Sequence, residues 1–213
     1  MRRIPKIFKE IISGNDRTDG TTEGQLVVDP NVSLKLHLGC GERYLPGFVH
    51  VDARKLDHVD VVADLEDLSK FPDNSADMIY HAALLEHIGR YDTVSTLKEW
   101  WRVLKPGGVL RSSVPNFEAF VAAYQKWGDL ELLLGPLYGG QTYDENLHYT
   151  MFDRRYFTKC LTEAGFTDIQ DYEWRDFLPE GYDDFSRAYL PHMDFENGIL
   201  MMLNVDAVKS KMP

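Results

Sequence analysis

The stretch Leu36-His37-Leu38-Gly39-Cys40-Gly41-Glu42-Arg43-Tyr44-Leu45-Pro46-Gly47-Phe48-Val49-His50-Val51-Asp52 decides how the chain folds. A short apolar strand, Leu34 to Leu38, runs into the turn Gly39-Cys40-Gly41. A second apolar run, Phe48 to Val51, ends on the acid Asp52. Glycine has no Cβ, so the backbone can turn tightly and a ligand can lie against it. A carboxylate at the end of the second strand can accept hydrogen bonds from both hydroxyls of a ribose. The ligand this layout suggests is an adenosine-type cofactor. A dinucleotide site places a third glycine where this chain has Tyr44, which argues against a dinucleotide.

Outward from this stretch, Val59 to Ala63 reads as a third strand, Ala76 to His81 as a fourth and Val109 to Val114 as a fifth. Ala82 to Ile88 begins a helix. Thr93 to Leu104 is a clearer one, with Val94, Leu97, Trp101 and Leu104 at spacings of three and four, which puts Trp101 in the core. Lys105-Pro106-Gly107-Gly108 ends it. This alternation predicts a parallel sheet with helices on its faces. Farther on, Phe117 to Trp127 is helical, and Gly135-Pro136 is expected to break the apolar run Leu130 to Leu134. Tyr138 to Tyr149 is a long loop. Arg154 to Ala164 is a helix ending at Gly165. Phe166 to Tyr172 and Ile199 to Val208 are strands.

The whole chain has 213 residues, 44% hydrophobic and 27% charged, which suits one domain with a sizeable core. Residues 25–213 read as that domain, with an insertion at about 117–150 placed to cap a site. Residues 1–24 read as an N-terminal segment and linker. In Met1 to Ile12, Arg2, Arg3, Lys6 and Lys9 interleave with Ile4, Ile7, Phe8, Ile11 and Ile12, a pattern suited either to weak contact with an anionic membrane surface or to packing on its own domain. The net charge of −11 argues against nucleic acid as a partner. The two cysteines, Cys40 and Cys160, form neither a disulfide framework nor a metal pair, which fits a reducing cytoplasm. No apolar run reaches the roughly 18 residues that a transmembrane helix needs.

The glycine turn, with Asp52 following a Pro46-Gly47-Phe48 turn, resembles the first motif of the class I S-adenosylmethionine-dependent methyltransferases, above all the small bacterial ones with L-x-L-G-C-G. Ser75-Ala76-Asp77-Met78-Ile79-Tyr80-His81 is similar to their "S-x-D-hydrophobic-hydrophobic" motif. Leu85-Glu86-His87-Ile88 is similar to their L-E-H-[IV], Arg102-Val103-Leu104-Lys105-Pro106-Gly107-Gly108 to R-V-L-K-P-G-G, and Glu163-Ala164-Gly165-Phe166 to E-A-G-F. The resemblance implies a Rossmann-like three-layer α/β/α sandwich, with a seven-stranded, mostly parallel sheet whose last strand is antiparallel. It implies S-adenosylmethionine as cofactor and S-adenosylhomocysteine as product. Its nearest likeness is to methyltransferase-like proteins associated with bacterial polysaccharide synthesis. That points to a small-molecule or glycan acceptor and to an oxygen as the methylated atom.

By the same resemblance, Leu38, Gly39, Cys40 and Gly41 line the methionine and ribose part of the cofactor. Asp52, with Ala53 beside it, holds the ribose hydroxyls. Asp64 and Leu65 sit by the adenine, and His81 and Ala82 near the sulfonium. A hydroxyl acceptor is helped by a general base, a role that histidine suits. His148 lies in the insertion loop among Tyr143, Asn146 and Tyr149, polar groups suited to a polyol. His87 follows Glu86 near the cofactor. Tyr138, Tyr143 and Tyr149 are placed to stack on a substrate ring. No metal is expected: there is no H-E-x-x-H and no Cys/His pair at zinc spacing, and Asp183, Asp184 and Asp194 read as solvated acids. A protein of this fold that binds the cofactor without catalysing transfer is the alternative reading.

Overall fold

A computed structural model describes residues 26–29, 31–142 and 146–210. The amphipathic stretch Met1–Ile12, the linker Ser13–Gly24 and Tyr143 lie outside the described residues.

The main sheet holds seven strands. In chain order these are β1 (Lys35–Leu38), β2 (Val49–Asp52), β3 (Val61–Val62), β4 (Ala76–Ala82), β5 (Leu104–Pro115), β6 (Phe166–Asp171) and, last, β9 (Met202–Lys209). Their spatial order is β3-β2-β1-β4-β5-β9-β6. β1 pairs in parallel with β2 and β4, β2 with β3, and β4 with β5. β9 is wedged antiparallel between β5 and β6. This is the Rossmann-like α/β sheet expected, with its last strand reversed. A separate two-stranded ribbon pairs β7 (Tyr189–Leu190) with β8 (Ile199–Leu200). The stretch Ile199–Val208 is therefore two strands, split at Met201, whose N–H bonds to the Ala188 carbonyl.

The helices are α1 (Thr93–Val103), α2 (Phe117–Trp127), α3 (Glu131–Tyr138) and α4 (Arg154–Ala164). Asn116 caps α2 through the Glu118 N–H, and Asp153 caps α4 through the Tyr156 N–H. Four differences from the sequence reading have physical causes. First, the connections β1–β2, β2–β3 and β3–β4 are built of turns, without a helix. The β3–β4 loop instead borrows partners from α1: Trp100 Nε1 donates to the Leu65 carbonyl, Arg102 donates to the Leu68 and Phe71 carbonyls, and Glu99 accepts from the Leu68 N–H. Side chains thus satisfy backbone groups that a helix would have paired internally. Second, the buried stripe of α1 is Thr93, Thr96, Leu97, Trp100 and Val103. Trp100 is in the core and Trp101 only half-buried. The two threonines can face inward because their hydroxyls bond to the Gly89 and Asp92 carbonyls. Third, α3 runs through Gly135-Pro136; in so short a helix the proline removes a single interior donor. Fourth, Lys105-Pro106-Gly107-Gly108 bulges within β5, between the pairs Ala76–Leu104 and Met78–Val109.

The two faces of the sheet differ in chemistry. Leu36, Leu38, Val49, Val51, Ile79, Leu110, Val205 and Ala207 pack with Trp100, Phe157 and Leu161 into the main apolar core. On the opposite face, Phe48 and Tyr80 meet Phe177 and Tyr182. Arg111 there forms a two-pronged ion pair with Asp206 on the neighbouring strand, and its guanidinium lies 4.5 Å from the ring centroids of both Tyr172 and Phe177.

His81 is wholly buried on the apolar side. Its Nε2 is 2.9 Å from the Ser112 hydroxyl, its ring packs on Trp100, and burial pushes its pKa down to about 3. Because the folded-state value lies below that of the unfolded chain, acidification charges the unfolded chain first, and stability is lost as the pH falls below about 6.5. Urea unfolding between about pH 6 and pH 4 should therefore show His81→Asn losing stability less steeply than wild type, by about 1.4 kcal/mol per pH unit. Equal slopes would mean that His81 titrates normally.

Candidate functional site

The carboxyl ends of the parallel strands open into a cavity of about 780 Å³, within the range of small-molecule and cofactor sites. The turn after β1 supplies Gly39 to Arg43, the end of β4 supplies Ala82 and Ala83, and β5 ends there at Pro115. The far wall comes from the 117–150 insertion through Phe120, Gly135, Pro136, Gly139, Gly140, Asn146 and His148. A third contribution comes from residues 183–193, around the β7 ribbon.

Gly39 and Gly41 adopt φ of +59° and +55°, the left-handed region that side chains disfavour. A Cβ on Gly39 would come within 2.8 Å of Leu84 Cδ1. The turn is held from below by Asp52, which is only 4% exposed. One Asp52 oxygen accepts from the Gly41 N–H (2.8 Å), and the other accepts from the Arg54 N–H (2.9 Å) and Arg54 Nε (3.2 Å). Ala83, at the end of β4, also sits at a positive φ of 54°, a strained conformation for a residue with a side chain.

Gly39, Cys40, Gly41, Ala82, His87 and His148 all line the cavity. Leu38 is buried beneath the turn, and Asp52 lies behind it. Ala53 and Asp64 are exposed, Leu65 belongs to the apolar core, and His81 is buried against Trp100; none of these four lines the cavity. Burial, reinforced by Asp52, pushes the Cys40 thiol up to about 12, so it stays protonated. Tyr138 and Tyr149 are exposed and outside the lining. Asp184 is buried rather than solvated, accepting from the Tyr80 hydroxyl and the Ser186 N–H.

The insertion brings together a group that lies far apart in the chain. His87 and His148 face each other edge to face, with ring centroids 4.8 Å apart. His87 Nδ1 is 3.0 Å from the Leu147 carbonyl, and His148 Nδ1 is 3.0 Å from the Pro136 carbonyl. A carbonyl can only accept, so both rings donate from Nδ1. Burial, then His87, pushes the His148 pKa down to about 4. Glu86 completes the group. It is wholly buried, neither carboxyl oxygen has a hydrogen-bond partner among the described residues, and burial pushes its pKa up to about 8. In the sequence Glu86 shows only as an acid inside the run Ala82 to Ile88 and as part of Leu85-Glu86-His87-Ile88, with no role of its own.

Residues 36–111, from β1 into β5, match the sequence model of a methyltransferase domain family. No curated protein sequence matches the chain. Among solved structures, the chain is similar to a SAM-dependent methyltransferase from Archaeoglobus fulgidus (15% identity, TM-score 0.51, 84% of this chain and 87% of that one). It is similar to one from Methanosarcina mazei (18%, 0.50, 84% and 92%). It also resembles the 1,6-didemethyltoxoflavin-N1-methyltransferase of Burkholderia thailandensis, solved with 1,6-didemethyltoxoflavin and S-adenosylhomocysteine (14%, 0.50, 84% and 72%). At these identities the structures speak for the fold, and the family match speaks for methyl transfer with S-adenosylmethionine as cofactor. The residues present fit that group. Two left-handed glycines expose the turn's backbone to the cavity, a buried carboxylate stands behind it, and the volume is adequate.

Gly39→Ala tests the turn. The left-handed φ and the approach to Leu84 should lower the unfolding free energy by about 1–3 kcal/mol and abolish S-adenosylhomocysteine binding in a calorimetric titration. Wild-type stability and affinity would show that the turn is not held as described.

Proposed function

We propose that this chain is a cytoplasmic O-methyltransferase that carries a methyl group from S-adenosylmethionine to a hydroxyl of a small polar acceptor, a sugar or glycan precursor in polysaccharide synthesis. The carrying observation is that one cavity joins the Gly39–Gly41 turn to an insertion wall bearing two imidazoles. The polar residues of its lining, among them Asn146, His148, Asp183 and His192, suit a polyol. Among the described residues no helix is long and apolar enough to cross a membrane.

S-adenosylmethionine, when bound, supplies a methyl already activated on a sulfonium. The protein's task is then alignment, which can supply about 7–11 kcal/mol of the barrier. The Gly39–Gly41 backbone and Asp52 would hold the ribose end. Ala82 and Ala83, small residues at the end of β4, leave room where the transferring group would lie. The insertion and residues 183–193 close over the strand ends and exclude water. At the far wall, His148 would hold an acceptor hydroxyl by its proton, with His87 packed against it.

Calorimetric titration with S-adenosylmethionine, S-adenosylhomocysteine and NAD should give binding of the first two only, lost in Asp52→Ala. Methyl transfer should then appear with nucleotide sugars or glycan precursors. Binding of NAD alone, or of none, overturns the reading. Tight S-adenosylhomocysteine binding with no transfer to any hydroxyl acceptor favours a non-catalytic binding protein.

A further inference from the structure

We propose that Glu86, His87 and His148 form a binding site for a divalent first-row cation, which holds the acceptor's hydroxyl oxygen. The acceptor part rests on the methyltransferase reading above; the cation site itself does not.

One ligand atom of each of the three residues lies within 4.8 Å of the others, so a single ion can reach all three. Two features point to a ligand rather than a chance cluster. Glu86 is wholly buried, and neither of its oxygens is bonded among the described residues. A carboxylate in that state is costly unless paired or coordinated, and a cation supplies the missing partner. Both imidazoles, in turn, are oriented by Nδ1–H bonds to backbone carbonyls, Leu147 for His87 and Pro136 for His148. That is the kind of outer-shell arrangement that orients a ligating histidine.

The frame is rigid. Glu86 and His87 belong to the single helical turn Leu85–His87 that follows β4. The Glu86 carbonyl accepts from the N–H groups of both Tyr149 and Thr150. The same short turn therefore positions two of the ligands and anchors the loop that brings the third. Two imidazoles and one carboxylate suit Mn²⁺, Fe²⁺, Co²⁺ or Zn²⁺ better than Mg²⁺ or Ca²⁺, which prefer all-oxygen sets. All three residues line the cavity, so coordination positions remain open on the side where an acceptor enters. A bound cation would orient its hydroxyl and lower that hydroxyl's pKa. This gives the two histidines a role as ligands rather than as a base and its neighbour, and replaces the expectation that no metal is used.

The test uses the full chain, stripped with a chelator and titrated separately with Co²⁺, Mn²⁺, Zn²⁺ and Mg²⁺. Co²⁺ should bind at one equivalent and develop visible d–d absorption, with Mg²⁺ much weaker. Glu86→Gln and His148→Ala should each weaken Co²⁺ by more than about 100-fold, beyond the roughly 10–100-fold typical of losing an outer-shell partner. Both should keep the far-ultraviolet circular dichroism of wild type. If Glu86→Gln fails to fold, the loop variant His148→Ala carries the comparison. No saturable binding below about 1 mM, or equal affinity in wild type and variants, overturns the site. Titrating S-adenosylhomocysteine into the stripped protein reads the methyltransferase assignment separately: its failure to bind removes that assignment and leaves a one-equivalent cation site standing.

Discussion

The main-chain carbonyl of Glu86 is the joint on which the site depends. It accepts the Tyr149 N–H at 2.8 Å and the Thr150 N–H at 3.1 Å, while the Thr150 hydroxyl bonds to the Ile88 carbonyl at 2.8 Å. These bonds dock the end of the insertion loop onto the turn that leaves β4. From there the chain passes through Phe152, whose carbonyl takes the Phe117 N–H at the start of α2. The beginning and the end of the insertion are thus tied to each other as well as to the sheet. A loop held at both ends by buried backbone bonds opens less readily than one held by exposed contacts. The cavity wall, whose buried residues form a cluster of their own around Phe120 and Leu133, is therefore anchored to the domain at both ends.

The unequal faces of the sheet follow from what covers them. α1 and α4 pack on the apolar face, where Phe157, Cys160, Leu161 and Ala164 of α4 meet the strands. The other face is covered by residues 172–187, a segment with only single helical turns at Trp174–Asp176 and Phe185–Arg187. Such a segment has many unpaired backbone groups, so the sheet beneath it must offer polar partners. Asn204 Nδ2 donates to the Ser186 carbonyl, and Tyr80 reaches Asp184, which also takes the Ser186 N–H. Arg111 and Asp206 satisfy each other within the sheet. These bonds tie the face to its cover, although Tyr172 Oη, Tyr182 Oη and Asn204 Oδ1 have no hydrogen-bond partner among the described residues.

The legible parts of the sequence are those where a local rule suffices. The glycine turn, the strand ending on Asp52 and the helix Arg154–Ala164 need only neighbouring residues to be read. Where a local pattern has two solutions, tertiary bonding chooses. In α1 the threonine hydroxyls find backbone partners, so the buried stripe includes Trp100 and leaves Trp101 half-buried with its Nε1 on the Gly165 carbonyl. The missing helix of the β3–β4 connection is invisible for a similar reason, since its backbone partners come from Glu99, Trp100 and Arg102, far along the chain. His87 and His148 can be picked out singly as chemically capable residues. Their meeting, and the part of Glu86 between them, arises only when the insertion docks. An acid inside an apolar run reads as solvated until its carboxylate proves to be wholly buried.

Asp52 shows how the turn and the cavity are coupled. A carboxylate offers about four acceptor sites, and within the chain three are filled: by Gly41 N–H, by Arg54 N–H and by Arg54 Nε. The two main-chain bonds set the geometry of the glycine turn and of the first residues after β2. A diol that uses both oxygens can leave these in place, but it needs the position that the Arg54 side chain holds. Arg54 is the more exposed member of this arrangement, with a side chain 39% exposed. It also lines the cavity, so under the proposed function a ribose at Asp52 would displace a guanidinium that stays beside it. Under that reading the same acid would brace the turn and accept the ligand without the backbone having to move.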